Sequence, residues 1–437
     1  MSKTRVLILG GGYVGLYTAL TLQKKARGKV DITLIDRRPY MTYAPFLPEA
    51  GAGSIEARHA VVPLRRTLKG VRVLQGKVTN ISHQDRRVTA ETDLGENLNL
   101  EFDELVVALG AVSRTFPTPG LAENAIGFKF VEEAAAVRNR ILNRIARAAT
   151  TSNPELRKRL LSFVFVGGGF AGIEAFSETE DMAKAALRYY PELKPEDLNF
   201  VMVEAANHIL PEMGPDMGEY TKKELESRGM RVLLSTTLDS CVDGHVELSN
   251  GEKFDADTIV WTAGVKPAPV MSSSDLPLGP RGHMSSSPTL QVIDQDGRVV
   301  DGVWAAGDCA QVPNLVEDEG DWCAPSAQHA VRQARHMGAN IAAKLSGGEL
   351  KEYKHKHLGM VASLGLNKGV AVIMGVKMRG WPAWVMHRTY HLSQIPTVNR
   401  KLRVTLDWTI ALLFRRDMVS LSRVEVPRRA FEEAARG

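Results

Sequence analysis

The stretch RVLILGGGYVGLYTAL, residues 5–20, decides the fold because it joins an apolar strand to a helix through a glycine-rich turn. Residues 6–9 are the kind of apolar run that is buried on both faces of a parallel sheet. Gly10 permits the tight turn, Gly12 lets the backbone approach a pyrophosphate, and Gly15 lets the helix pack closely on the strand. The helix N-terminus then offers unpaired N–H groups and a positive dipole end to phosphate. The stretch predicts a dinucleotide-binding unit.

An acidic residue closes the second strand of this unit. Residues 32–35 are mostly apolar, and Asp36 follows them, 21 residues after Gly15. That distance is about the spacing at which an acid holds the ribose hydroxyls of a dinucleotide. The alternative interpretation of Asp36 is an ordinary aspartate in a surface turn.

The stretch FVFVGGGFAGIEAF, residues 163–176, repeats the pattern in the middle of the chain. Its strand leads into Gly167, Gly169 and Gly172 with the same spacing, and Glu204 ends the next apolar strand. A carboxylate there accepts a free ribose 2′-hydroxyl and repels a 2′-phosphate, so this unit should prefer NADH over NADPH.

The similarity between the two halves extends beyond the glycine turns. The stretches FDELVVALGA (102–111) and FDADTIVWTAGV (254–265) each combine an acidic turn, an apolar strand and a turn of small residues. Two complete nucleotide-binding units that arose by internal duplication are the economical interpretation.

Composition places the chain among globular α/β proteins. Its 437 residues are 44% hydrophobic and 24% charged, and the net charge of +5 indicates an anionic partner only weakly. We expect no nucleic-acid partner. The three cysteines, Cys241, Cys309 and Cys323, form no C-x-x-C pair, so neither a disulfide framework nor a metal site is expected. The N-terminus does not resemble a secretory signal, which favours a cytoplasmic setting, and no run of about 18 apolar residues occurs.

The stretch VWAAGDCAQVPN, residues 303–314, resembles the two-dinucleotide-binding-domain flavoproteins. Within them the chain resembles type II NADH:quinone oxidoreductase, through PFLPEAGAGS (45–54), GGGFAGIEAFSE (167–178), WTAGV (261–265) and PSAQHAVRQA (325–334). The resemblance implies that the first unit holds FAD and the second holds NADH. It also implies a peripheral protein at the cytoplasmic face of the cell membrane, acting as a homodimer and reducing a quinone, most simply menaquinone, without proton pumping.

The expected fold is α/β, with two Rossmann-like domains, the second inserted in the first, and a C-terminal amphipathic helical segment that anchors the protein to the membrane. The FAD domain is expected over residues 1–120 and 290–350, the NADH domain over 155–275, and the membrane-association and dimerisation region over 355–437.

The resemblance also implies roles for individual residues. FAD would contact Gly10, Gly12, Gly15, Asp36, Ala108, Gly110, Asp308 and Ala327. NADH would contact Gly167, Gly169, Gly172, Glu204 and Gly264. The catalytic candidates are Glu174 and Gln328, and the quinone site would include Gln328 and Arg332. Glu174 matches a family glutamate near the junction of nicotinamide and flavin, and Glu178 matches a second one. The alternative for Glu174 is an ordinary acid in the first turn of a helix.

The sequence departs from the family pattern in the helix expected to begin near Ser326. The family motif is A-Q-x-x-x-Q, whereas here Ala327 and Gln328 are followed by Arg332, and the next glutamine is Gln333. Residues i and i+4 share a helix face, so Gln333 cannot simply replace the missing glutamine. A guanidinium at this position leaves the electron acceptor open.

The C-terminal stretch 379–416 carries aromatic and apolar residues at helical spacing. Trp381, Trp384 and Val385 form one group and Leu406, Ile410, Leu413 and Phe414 another, flanked by Arg400, Lys401, Arg403, Arg415 and Arg416. Such a pattern suits a helix that lies in an anionic membrane surface, and a core or dimer helix is the alternative. Asp407 in the apolar run argues against spanning. Deleting the chain from Arg379 is then expected to release the protein from membranes.

Histidines and cysteines elsewhere in the chain bear on other functions. His329 beside Gln328 could donate a proton to a quinone, although a packed histidine is the simpler interpretation; His355 and His357 have the pattern of a solvated strand. A disulfide reductase would need paired cysteines near the flavin, and Cys309 and Cys323 do not match the paired cysteines of a sulfide:quinone oxidoreductase either. The alternatives are a reductase with a ferredoxin-type or other small-molecule acceptor, a sulfide:quinone oxidoreductase-like enzyme and a non-catalytic nucleotide-bound regulator.

Overall fold

The structure, a computed structural model, describes residues 3–316 and 322–420. The chain divides into two compact units. The first unit contains residues 1–42, 61–112 and 265–357, and the second contains residues 43–60, 113–264 and 358–437. The last part of the expected C-terminal region, residues 421–437, lies outside the described residues.

The strands of the described residues are β1 (Thr4–Leu9), β2 (Val30–Asp36), β3 (Tyr40–Thr42), β4 (Val61–Pro63), β5 (Arg72–Gln75), β6 (Lys77–Ser82), β7 (Arg87–Glu91), β8 (Asn97–Glu101), β9 (Glu104–Val107), β10 (Ala111–Ser113), β11 (Ala125–Gly127), β12 (Ser162–Val166), β13 (Asn199–Val203), β14 (Arg231–Leu233), β15 (Leu238–Ser240), β16 (His245–Leu248), β17 (Lys253–Asp255), β18 (Thr258–Trp261), β19 (Val265–Pro267), β20 (Met284–Ser286), β21 (Gln291–Ile293), β22 (Val299–Ala305), β23 (Ala310–Gln311), β24 (Gly359–Ser363), β25 (Gly369–Ile373) and β26 (Val376–Arg379).

The α-helices are α1 (Tyr13–Lys25), α2 (Leu47–Gly51), α3 (Leu64–Thr67), α4 (Leu121–Asn124), α5 (Val131–Thr150), α6 (Pro154–Leu160), α7 (Phe170–Ala186), α8 (Pro215–Glu226), α9 (Ala327–Lys344), α10 (Trp381–Gln394) and α11 (Val398–Phe414). Both glycine turns lead into a long helix, as their sequences predicted.

The first unit is built on an eight-stranded sheet in the order β23-β20-β21-β22-β9-β1-β2-β5. The strands β22, β9, β1, β2 and β5 are parallel, with Val6 paired to Ile32 and Ile8 paired to Val106. Residues 6–9 are fully buried, as expected of a strand covered on both faces. Because the glycine turn follows β1 directly, it lies at the carboxyl edge of the parallel strands, where α/β sheets bind ligands.

The second unit repeats this design in a five-stranded parallel sheet in the order β11-β18-β12-β13-β14. All five residues of β12 are buried. Two three-stranded antiparallel sheets, β15-β16-β17 and β24-β25-β26, belong to the same unit. The expectation of an α/β fold with a second Rossmann-like domain inserted in the first is confirmed.

The C-terminal segment of the second unit forms α10 and α11. Leucine, isoleucine and phenylalanine side chains at residues 402, 406, 410, 413 and 414 of α11 are at least half exposed. Among the described residues, no helix is both long and apolar enough to cross a membrane.

Candidate functional site

In the glycine turn of the first unit, some glycines are required by the packing of the chain and another faces open space. Gly10 has a φ of +101°, which disfavours any side chain, and a methyl group on Gly15 would overlap the carbonyl oxygen of Gly10. A methyl group on Gly12, in contrast, would meet no atom within 4 Å. Packing of the described residues therefore does not require glycine at position 12, and open space lies where a pyrophosphate would approach the backbone.

The glycine turn of the second unit has the same geometry. Gly167 has a φ of +108°, and a methyl group on Gly172 would overlap the carbonyl oxygen of Gly167. Gly169 again faces open space, with no atom within 4 Å of an added methyl group. The two turns thus present the same cradle at the start of α1 and of α7.

The strand-end acids brace their own turns. Asp36 accepts hydrogen bonds from the backbone N–H of Gly11 at 2.6 Å and of Arg38 at 2.7 Å. Burial raises the pKa of Asp36, and these two hydrogen bonds and the nearby arginines oppose that rise. A ribose-binding role and a bracing role are compatible, because each carboxylate oxygen has two lone pairs.

Glu204 makes the corresponding contacts in the second unit. Its Oε2 accepts from the N–H of Gly168 at 2.5 Å, and its Oε1 accepts from Ala206 at 2.7 Å. Sequence reasoning assigned both acids to ribose alone. The sequence does not predict this bracing role, because nothing marks the backbone N–H of Gly11 or Gly168 as a donor to the acid.

Turns of small residues close both sites. In the first unit, Ala108 follows β9 and lies against Gly10, and Gly110 has a φ of +62°. In the second unit, Gly264 has a φ of +84°. Added methyl groups on Gly110 and Gly264 would also meet open space, so the repeat includes these positions.

Asp308 lies in a short 3₁₀ turn, Gly307–Cys309, directly after β22. The backbone N–H of Gly307 donates to Oε1 of Gln333 at 2.9 Å, and Gln333 is buried. Gln333 therefore supports the turn that carries Asp308. This agrees with the expectation that it does not replace the family glutamine at position 332.

The cysteines do not provide a redox pair. Cys241, Cys309 and Cys323 are free thiols. Burial raises the pKa of Cys309 to about 11, so this thiol stays protonated at neutral pH and is a poor nucleophile. This disfavours chemistry of the disulfide reductase or sulfide-oxidising kind at Cys309.

The helix α9 begins at Ala327, as expected, with the Ser326 hydroxyl accepting from the backbone N–H of His329 at 3.2 Å. Gln328 lies in its first turn, and Arg332 donates from Nη1 to the carbonyl oxygen of Gln328 at 3.1 Å. The start of α9 therefore places Ala327 and Gln328 in its first turn and Arg332 one turn further on.

The expectation of a solvated strand at His355 and His357 is wrong. Residues 351–358 form neither helix nor strand, and both imidazoles are half-buried beside His329, at ring-centroid distances of 5.6 and 5.9 Å. His355 Nε2 lies 3.0 Å from Oε1 of Gln328. The alternating Lys-His pattern gave no signal of this packing.

Glu174 is not a solvent-facing acid at the start of α7. Its side chain is buried, and Oε1 accepts from the backbone N–H of Ser363 at 2.9 Å. His387 Nε2 lies 2.8 Å from the same oxygen, in an orientation poor for a hydrogen bond, so electrostatic attraction carries this contact. Burial lowers the pKa of His387, but the carboxylates of Glu174, Glu49 and Glu178 outweigh burial and raise it.

Two further buried glutamates contact the C-terminal segment. Glu178 accepts from the hydroxyl of Ser363 at 2.7 Å, and Arg416 Nη2 lies 3.4 Å away. Glu49 accepts from Nε1 of Trp408 at 2.5 Å, with Arg388 Nε at 3.4 Å. Burial raises the pKa of Glu49.

We call these three acids and their partners the glutamate cluster: Glu49, Glu174, Glu178, His387, Arg388 and Arg416. Arg416 was expected on a basic rim facing a membrane, and the structure instead places it, nearly buried, beside Glu178. Sequence reasoning missed the cluster as a whole, because its members come from three distant stretches of chain.

Comparison with known proteins gives concordant results. A family model described as pyridine nucleotide-disulphide oxidoreductase matches residues 4–334. A type II NADH:quinone oxidoreductase of Staphylococcus epidermidis is 32% identical over 387 residues, which cover 86% of this chain and 92% of the relative. Another from Mycobacterium tuberculosis is 28% identical and covers 95% of this chain and 89% of the relative. The solved structure of NDH2 from Plasmodium falciparum in complex with NADH is similar, with a TM-score of 0.87, 17% identity and coverage of 96% of this chain and 100% of that chain.

Proposed function

The chain belongs to the pyridine nucleotide-disulphide oxidoreductase family and, within it, to the type II NADH:quinone oxidoreductases, and on this basis we propose that it uses FAD to pass two electrons from NADH to a quinone. The observation that carries the proposal is the pair of matched glycine turns. In both turns the last glycine of the G-G-G run, Gly12 or Gly169, faces open space. FAD, when bound, accepts a hydride and passes its two electrons on to the acceptor.

The first unit is assigned to FAD. The N-terminus of α1 and the backbone at Gly12 would hold the pyrophosphate, and Asp36 would accept from ribose hydroxyls. Asp308 would contact the ribityl chain or pyrophosphate, supported by the bond between Gln333 and its turn. The N-terminus of α9 at Ala327 would stabilise negative charge that develops on the flavin.

The second unit is assigned to NADH. The N-terminus of α7 at Gly169 would hold the pyrophosphate, with Gly264 leaving room at the neighbouring strand end. Glu204 would accept from the ribose 2′-hydroxyl, and its negative charge would disfavour the 2′-phosphate of NADPH.

Glu174 is proposed to handle a proton or to position the nucleotide. Its carboxylate lies 2.8 Å from the imidazole of His387, whose pKa is raised, so His387 can hold a proton next to Oε1. The fixed hydrogen bond from Ser363 keeps Oε1 in place.

The acceptor is proposed to bind at the first turn of α9. Gln328 would donate to a quinone carbonyl, and Arg332 would make the site more polar than the family motif does. Menaquinone is the proposed acceptor, and ubiquinone is the competitor to test.

The protein is proposed to work at the cytoplasmic face of the cell membrane as a peripheral homodimer. Support comes from the exposed apolar side chains of α11, including Leu413 and Phe414, and from exposed basic residues nearby such as Arg403 and Arg415. Sedimentation with anionic vesicles tests the first part, and light scattering of the purified protein tests the second.

The central experiment follows the flavin absorbance. Purified protein is mixed with NADH without oxygen, and menadione or decylubiquinone is then added. We expect bleaching by NADH and rapid return of the absorbance with quinone. A colourless protein would overturn the proposal, and bleaching without reoxidation would redirect it to another acceptor.

A further inference from the structure

A stretch of chain without regular secondary structure, residues 351–357, runs along α9 in the first unit; we call it the strap. It begins opposite the C-terminal part of α9, where Asn340 donates to the carbonyl oxygen of Lys351 at 2.8 Å and accepts from its N–H at 3.0 Å. His336 Nε2 donates to the same carbonyl at 2.6 Å. The start of the strap is therefore fixed by bonds to the helix.

The strap continues towards the first turn of α9. The hydroxyl of buried Tyr353 lies 2.9 Å from Nδ1 of His329, and the backbone N–H of Tyr353 donates to the carbonyl oxygen of Pro288 at 2.8 Å. Two residues later, Nε2 of His355 lies 3.0 Å from Oε1 of Gln328. Because Lys351 and Tyr353 are held shortly before His355, the imidazole has a defined place beside the glutamine.

The chemistry of this contact fixes who donates. An amide oxygen only accepts, so Nε2 of His355 carries the hydrogen. Burial, the charge of Arg332 and the proximity of His357 lower the pKa of His355. A neutral imidazole has one N–H, and here that N–H is directed at Gln328.

A planar amide presents its oxygen and its nitrogen on different edges. Once the oxygen accepts from the strap, the amide NH₂ of Gln328 is turned to the other edge, which is the orientation needed to donate to a carbonyl oxygen. That bond opposes the rotation about the last side-chain torsion that would exchange the two edges. Arg332, bonded to the backbone of Gln328, does not hold the amide plane.

We propose that His355 is a positioning residue for quinone reduction, which holds the Gln328 amide so that its NH₂ group donates to the quinone carbonyl. The inference rests on the proposed function, because it assumes that the acceptor binds at Gln328. The strap then affects the step in which quinone reoxidises the flavin, and it does not affect the step in which NADH reduces the flavin.

The test separates the two half-reactions in the full-length, flavin-loaded protein. His355→Phe keeps a ring of similar size and removes the donor, and we expect kcat/KM for decylubiquinone to fall about tenfold, the effect of one hydrogen bond. The rate of bleaching by NADH should not change. His355→Gln, which restores an N–H donor, should recover most of the loss.

Two further variants make the result specific. His336→Phe removes another imidazole bond between α9 and the strap, away from Gln328, and should keep the wild-type quinone kinetics. In a Gln328→Ala background, His355→Phe should cause no additional loss, since the residue that it positions is gone.

The outcomes distinguish this inference from the function on which it rests. If neither menadione nor decylubiquinone reoxidises the bleached wild-type protein, the proposed acceptor and the inference both fail. If the wild type is reoxidised and His355→Phe matches it, only the inference fails. Equal losses in both half-reactions, or the same tenfold loss in the Gln328→Ala background, would also overturn it.

Discussion

The two glycine turns are nearly identical, whereas the helices that follow them are used differently. Helix α1 packs on α9 through small groups: the hydroxyl of Thr18 donates to the carbonyl oxygen of Ala334 at 3.2 Å, and Gly338 lies against Thr21. Helix α7 instead buries charged side chains, including Glu174 and Glu178. The repeat has kept the geometry that a dinucleotide needs and has changed the helix surface that faces the rest of each unit.

The buried charges of α7 give the C-terminal segment a structural role in the second unit. Glu174 and Glu178 of α7 contact His387 of α10 and Arg416, and Trp408 of α11 donates to Glu49. Removing one partner of a buried ion pair is strongly destabilising, because a charge is left without compensation. The segment is therefore part of the fold of the second unit and not a detachable anchor.

Truncation before Arg379 should have the largest effect. It removes every cation of the glutamate cluster together with the α10 and α11 side chains that pack on the three glutamates, and breaking even one buried pair costs roughly 3–5 kcal/mol. We expect loss of cooperative thermal unfolding and aggregation on expression, rather than a folded protein released from membranes.

A full-length control separates folding from membrane binding. Leu412, Leu413 and Phe414 are 83%, 68% and 77% exposed, so changing all three to serine should leave the melting temperature nearly unchanged and reduce sedimentation with vesicles. A truncated protein that unfolds cooperatively at the wild-type temperature would contradict the structural role of the cluster.

Valine at the open glycine of one turn should impair FAD binding, and valine at the open glycine of the other should impair NADH binding. Gly12→Val fills the space above the first turn, and we expect a folded protein without flavin colour. Gly169→Val should remain yellow but should not be bleached by NADH at concentrations that bleach the wild type. Circular dichroism would show that both variants are folded. Yellow protein from Gly12→Val, or unchanged bleaching of Gly169→Val, would contradict the corresponding assignment.

The parts of the molecule that sequence could predict are those with local causes. The glycine turns, the start of α9 at Ser326 and the helical character of α10 and α11 depend on residues a few positions apart. The glutamate cluster could not be predicted in this way, since Glu49, Glu178 and Arg416 are brought together only by tertiary packing. Likewise, His355 acquires its partner because the strap is fixed at Lys351 and Tyr353, which the alternating lysines do not reveal.

The pH dependence of stability should reveal the cluster in the intact protein. The pKa of His387 is raised above its ordinary value of 6.5 in the folded state. Its stabilising contribution is therefore fully present below pH 6.5 and is lost as pH rises through the folded-state pKa. His387→Gln should lower the free energy of unfolding by roughly 3 kcal/mol at pH 6, with a smaller difference at pH 9. Chemical denaturation at both pH values measures this, and a difference that grows with pH would contradict the assignment.

The smallest effect is expected at the strand-end acids, where the two units should differ only in the ligand affected. Glu204→Gln retains an oxygen for the N–H of Gly168 but removes the charge that repels a 2′-phosphate, so the ratio of kcat/KM for NADPH to that for NADH should rise about tenfold. Asp36→Asn makes the matched change in the first unit. It should leave that ratio unchanged and weaken flavin retention instead, measured as FAD released on dilution. Because both variants lose one charge at equivalent positions of the two turns, a change in NADPH use by Asp36→Asn would show that the assignment of the two units to FAD and NADH is reversed.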